Sequence, residues 1–389
     1  MNWTTIKTLF ILNKGTVEQK EYNIQIPFEY KLGLIFIDVK IDGSTYKFML
    51  DSGSSNVISK DLAEKLNLQS ANKNNVEDSK GVSSDFDFTV IEKIGIGQLN
   101  YLDTGAAIID LDESDDIACL NIDGLIGANL MKKSIWKIDY TTKMIQISND
   151  INSFEVPDGN KKIPMFTELT GSPIVDLLVD KTEEKNVIVD LGSNAGFSLS
   201  MDTYNALVND NPAMVKRSSY GLSSSALNGN NFITTTFHEV LTNTISFGEV
   251  SLKDTHVKFS EDDKVSTIGS EFLENYDVII NWPDYEIILI KKKESSTLET
   301  SSYGFGYRYS NNNIVIDKLL NNSKAEKEGL KINDRIIRIN NTFFDKVLVS
   351  EWCHILQNGL FDENSDTIEL VILRGDKELT FNLTKEVLF

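Results

Sequence analysis

The feature that most constrains this chain is an aspartate delivered by an apolar strand into a turn of small residues, twice, in equivalent places. Residues 48–59 read FMLDSGSSNVIS, where Phe48, Met49 and Leu50 lead Asp51 into Ser52, Gly53, Ser54 and Ser55. From Val187 the chain reads VIVDLGSNAGFSLS, leading Asp190 into Leu191, Gly192, Ser193 and Asn194. Alone, an Asp-Ser-Gly tripeptide is most often a turn opened by the aspartate side chain. The surroundings repeat as well. Residues 33–51 and 171–190 each give a strand, a polar turn and a second strand ending on the acid, over 18 (51 − 33) and 19 (190 − 171) positions. Downstream come GLIGANL from Gly124 and STIGSEFL from Ser266, so that Asp51 to Gly127 spans 76 positions and Asp190 to Gly269 spans 79. A repeat this long marks a duplicated lobe with its own core rather than a solenoid. Two equivalent lobes can bring two equivalent acids together on a pseudo-two-fold axis.

With Asp51-Ser52-Gly53 and Leu125-Ile126-Gly127 in one half, and Asp190, Gly192 and Ile268-Gly269 in the other, the chain resembles the bilobal aspartic proteases, most closely the retropepsin-like bacterial kind. The resemblance covers roughly the first three quarters of the chain. Two positions depart from it: Leu191 stands where the family has Thr or Ser, and Thr267 stands at an apolar position. The implied fold is mainly β, two pepsin/retropepsin-like β-barrel lobes related by a pseudo-two-fold, over residues 1–150 and 151–295. The implied activity is an aspartic endopeptidase with Asp51 and Asp190 as its catalytic dyad and Ser52, Gly53, Gly192 and Ser193 as catalytic-loop support. It needs no metal and no organic cofactor. The resemblance also implies a flap, placed at residues 81–88 with Gly81, Val82 and Ser83 at its core.

In that family the hydroxyl after each aspartate joins a lattice that holds both carboxyls around one water. Here only Ser52 supplies one, so the expectation is a loosely held dyad and a slow enzyme. Leu191→Thr should then raise turnover unless packing has adapted to the leucine. Leu191 also keeps a second reading open, a catalytically impaired pseudoprotease acting as a peptide- or protein-binding module.

After a linker expected at 296–302, within the polar run KKKESSTLETSS, residues 303–389 have the texture of a small α+β domain. The segment SKAEKEGLKINDRIIRINN from Ser323 resembles a PDZ domain in the spacing of Ala325, Gly329, Leu330, Asp334, Ile336 and Ile339. Tyr303-Gly304-Phe305-Gly306 resembles its carboxylate-binding loop. Such a loop presents backbone N–H groups to a peptide's C-terminal carboxylate while the peptide adds a strand to the sheet edge. The partners implied are a peptide or protein substrate and a C-terminal peptide ligand.

Composition narrows the alternatives. A net charge of −20 argues against nucleic acid and anionic membrane surfaces, which repel such a protein at long range. His238, His256 and His354 are scattered with no motif around them, which gives a Ser/His/Asp or Cys/His mechanism nothing to stand on. The two cysteines, Cys119 and Cys353, fall in different predicted domains, and from this no disulfide framework and no zinc cluster is expected. No apolar run reaches the length of a membrane span. The start, MNWTTIKTLFILNKG, has too short an apolar core for a signal peptide. Two settings stay open: periplasmic or secreted, with the leader absent from this chain, and cytoplasmic.

Locally, residues 1–30 read as extended strands, with an apolar patch at 9–12 and then Ile24 and Ile26 alternating with polar neighbours. Ser59 reads as the N-cap of a helix over 60–66. Residues 220–231 read as a second, flap-like loop, and Pro283 as an edge strand or turn.

Overall fold

The computed structural model describes residues 3–224, 231–292, 301–362 and 365–388. Most of the expected linker, and residues 225–230 of the second flap-like loop, lie outside these. The protein is mainly β, built on two copies of one plan.

In the first lobe, the Ser44–Asp51 strand pairs antiparallel with Leu34–Ile41 on one side and parallel with Gly124–Gly127 on the other, with Gly127 opposite Asp51. The buried faces of these strands (Ile35, Ile37, Val39, Phe48, Leu50, Ile126) form the lobe's core, which is why an acid at the strand's end is carried to a fixed place. The second lobe repeats the arrangement: Thr182–Val189 pairs antiparallel with Pro173–Val179 and parallel with Thr267–Ile268. The Asp190 N–H donates to the Ile268 carbonyl at 2.9 Å. Each lobe's closing hairpin then joins a shared six-stranded sheet. Ile135–Asp139 runs antiparallel to Tyr276–Asn281, with Trp136 opposite Ile280. This sheet bridges the lobes and fixes the two acid turns relative to each other. Pro283 lies in the turn between Tyr276–Asn281 and Glu286–Lys291, one of the two places expected for it.

Ser59 caps the Lys60–Lys65 helix, accepting from the Leu62 N–H. The N-terminus corrects the sequence reading, because Trp3–Leu12 is an α-helix rather than a strand. Ile11 and Leu12 insert into a cluster with Val57, Phe88, Ala107 and Leu111. Thr4 and Thr8 accept from the Asn72 side chain. Packing overrides the weak helix preference of its Thr and Ile residues.

The C-terminal domain has its own core around Ile314, Ile316, Leu330, Ile336, Trp352 and Leu370. It is tied to both lobes. Its Asn313–Leu320 strand pairs with Lys216–Ser223 of the second lobe, making one continuous sheet. A disulfide between Cys119 of the first lobe and Cys353 on the Val349–Asn358 helix corrects the expectation of unpaired cysteines. Beside it, the Trp352 indole N–H donates to Asp116 at 2.8 Å. The two cysteines lie 234 positions apart, and their assignment to different domains is no obstacle once those domains dock.

Candidate active site

Asp51 and Asp190 come together where the two turns interdigitate. The Gly53 N–H donates to its own turn's Asp51 Oδ1 at 3.0 Å and across the lobe boundary to Asp190 Oδ1 at 3.2 Å. The Gly192 N–H donates to Asp190 Oδ1 at 2.8 Å. The fit explains both glycines. A Cβ on Gly53 would lie 2.6 Å from the Asp190 Cγ, and one on Gly192 would lie 2.6 Å from the Asp51 Cγ, each well inside contact distance.

Ser52, fully buried, reaches across the same boundary. Its Oγ donates to the Val189 carbonyl at 2.7 Å and accepts from the Leu191 N–H at 2.9 Å. This half of the interlobe lattice is thus complete through backbone partners. Leu191 has no hydroxyl to return the arrangement; its side chain is 0 % exposed and belongs to the main core with Val187, Val189, Phe197 and Ile268. Ser193 supports the second turn from below, its carbonyl accepting from the Ser270 N–H at 2.8 Å and its Oγ from the Ala195 N–H at 3.4 Å.

Behind the first turn lies a pair of residues that sequence reasoning missed. Asn56 and Asn129, both buried, lock together: Asn129 accepts from the Asn56 N–H, Asn56 accepts from the Gly127 N–H, and both side chains donate to the Gly105 carbonyl. Gly127 has no room for a side chain, since a Cβ would meet the Ser55 carbonyl carbon at 2.2 Å. The second lobe uses backbone instead, with Gly269 donating to the Gly196 carbonyl and Glu271 to that of Ala195. The only signal for the first pair was its place next to the two marked motifs.

Both carboxyls are pushed toward the protonated form. For Asp51 the main cause is burial, opposed by hydrogen bonds from Ser54 and Gly53. For Asp190 it is burial, then the neighbouring Asp51 carboxylate, which together raise it to about 8. Two acids this close retain one proton between them over a wide pH range. A pair of that kind can activate a water with its ionised member and polarise a carbonyl with its neutral one.

The expected flap is a hairpin of Asn72–Glu77 and Ser83–Ile96. At its tip Asp78 accepts from the Lys80 and Val82 N–H groups, Gly81 takes a left-handed φ of +80°, and Ser83 opens the return strand. The tip reaches the other lobe, where the Lys264 N–H donates to the Ser79 carbonyl at 2.9 Å. Two open cavities, of about 620 and 420 Å³, lie away from the dyad. Neither is lined by either acid.

In the C-terminal domain Tyr303 is buried, its hydroxyl donating to the Ser365 carbonyl, and the Gly304 N–H donates to the Ser302 hydroxyl. Phe305 and Gly306 begin the Phe305–Ser310 strand, which among the described residues pairs only with Asn313–Leu320. The ring of Phe361 packs edge-on against Tyr303, Phe305 and Tyr307.

Residues 37–130 match the family model described as aspartyl protease, and residues 292–372 match that of the PDZ domain. The chain contains an aspartyl protease domain and a PDZ domain. The aspartyl protease match includes Asp51 and Gly127 and ends before Asp190. No curated protein matches the chain. Among solved structures, that of basic 7S globulin from soybean is similar with a TM-score of 0.41 at 10 % identity, over 69 % of this chain and 95 % of that one. Among the described residues no helix is long and apolar enough to cross a membrane, and no group of His, Cys, Asp or Glu has the arrangement of a metal site.

Proposed function

We propose that the protein is an aspartic endopeptidase in which Asp51 and Asp190 share one proton and hydrolyse a peptide bond through one activated water, while the PDZ domain binds a peptide. The observation that carries this reading is the single Gly53 N–H bonded to both carboxylates across the lobe boundary. The ionised carboxyl accepts the proton of the attacking water as oxygen adds to the scissile carbonyl. The neutral one gives its proton to the carbonyl oxygen, and collapse of the tetrahedral species returns a proton to the leaving amine.

Activity requires the singly protonated pair, so its pH dependence follows from the raised acids. The descending limb of kcat/KM should fall near pH 8, where the pair loses its remaining proton, with the optimum on the acidic side. Rates on one peptide from about pH 3 to about pH 9 test this. A rate still climbing above pH 8 would mean a different catalytic group.

Leu191 favours a second reading, a pseudoprotease that binds peptides without cutting them, because the second hydroxyl of the lattice is missing. The PDZ domain's role is testable within the full chain. Peptides with a free C-terminal carboxylate should bind, and amidation should weaken them at least tenfold; equal affinity for both forms rules out carboxylate capture. The Cys119–Cys353 disulfide supports an oxidising, exported setting over a cytoplasmic one.

A further inference from the structure

The tip of the first hairpin is held to the second lobe by charge. Lys80 Nζ lies 3.0 Å from Asp262 Oδ2 and also pairs with Asp263. The three side chains are only 15 %, 9 % and 22 % exposed, so water screens the contact weakly. Both acids are held in place on their own side. Asp263 accepts from Ser198 Oγ at 3.2 Å, and Asp262 accepts from Ser260. Ser198 belongs to the Phe197–Leu199 strand that follows the Asp190 turn and pairs with Thr267–Ile268, the strand to which Asp190 is bonded. The latch is therefore built on the framework that carries the second catalytic acid. Ser223, at the end of the Lys216–Ser223 strand of the other hairpin, also favours the charged form of Asp262. Burial opposes its charge, yet Ser260, Lys80 and Ser223 prevail and draw it down to about 2.

We infer that Lys80 is a positioning residue, which through Asp262 and Asp263 holds the first hairpin shut across the cleft during the chemical step. This rests on the protease reading above. A cleft hydrolysing through one chosen water needs other water kept out, and a closed hairpin does this. An ammonium paired with two largely buried carboxylates forms only when the hairpin is down, so it favours the closed state without touching the reacting atoms. The backbone bond from Lys264 to Ser79 fixes the same geometry.

The test compares the full-length protein with Lys80→Gln, Asp263→Asn and Lys80→Arg, by two readouts. Hydrogen exchange at the Lys264 amide reports closure without reference to activity. It should speed up about tenfold or more in Lys80→Gln and Asp263→Asn and stay near wild type in Lys80→Arg. On a cleaved peptide, the first two should lose about tenfold in kcat with a smaller change in KM, and Lys80→Arg should restore kcat. Unchanged exchange in Lys80→Gln overturns the latch. Faster exchange with unchanged kcat overturns its role in the chemical step. If wild type cuts nothing, exchange alone still decides the latch, and it is the protease reading that has failed. Lys80 is at a hairpin tip, and thermal melts of all three variants check that the fold is kept.

Discussion

Asp51→Asn and Asp190→Asn should each reduce peptide cleavage by about a thousandfold or more, the scale of a lost general acid or base, while leaving the fold intact. An amide at either position ends proton sharing, yet it fits the same space and keeps an oxygen for the Gly53 and Gly192 N–H groups. Because the pair binds its proton more tightly folded than unfolded, it stabilises the fold at low pH, and that contribution is lost as the pH rises toward 8. Wild type should therefore melt lower at pH 9 than at pH 5, and either variant should narrow the gap. Cleavage rates and melting curves at both pH values check this. A variant that keeps most of its activity would show that the two acids do not act as one unit.

The second large effect belongs to Leu191. Sequence alone favoured faster turnover for Leu191→Thr, provided that the packing had not adapted to leucine. The side chain is fully buried among Val187, Val189 and Phe197, so it has. The substitution removes buried methyl groups and adds a hydroxyl to an apolar site, at a cost of roughly 2 to 4 kcal/mol. Melting should fall on the order of 5 to 10 °C, and turnover at 25 °C should not rise. An unchanged melting temperature with faster cleavage would restore the original expectation. Ser52 argues against a loose dyad, since its hydroxyl is bonded on both sides to backbone of the opposite turn.

What could be read in the sequence follows physical lines. Asp51 was legible because an apolar strand ending in Asp-Ser-Gly is locally distinctive, and Asp190 because its surroundings repeat those of Asp51 at matched spacing. The six-stranded interlobe sheet was not legible, because pairing between strands of different lobes leaves no mark within either repeat. The Trp3–Leu12 helix was not legible, because its Thr and Ile residues suit a strand as well, and what makes it a helix is contact with strands far along the chain. Asn56 and Asn129 looked like ordinary turn residues, since a buried hydrogen-bond lock leaves no periodic mark. The disulfide was hidden for a related reason. Two cysteines in separate domains become partners only through docking, and here docking joins the PDZ helix to the first lobe and the PDZ strand to the second.

That an acid pair acts on peptides is tested most directly by digestion of a mixed peptide library at acidic and neutral pH, read by mass spectrometry, with and without pepstatin. The account predicts internal cleavage at both pH values, each below the descending limb near pH 8, that is suppressed by pepstatin. Intact peptides at every pH, from a folded protein that does not bind pepstatin, would contradict it and leave the peptide-binding reading in its place.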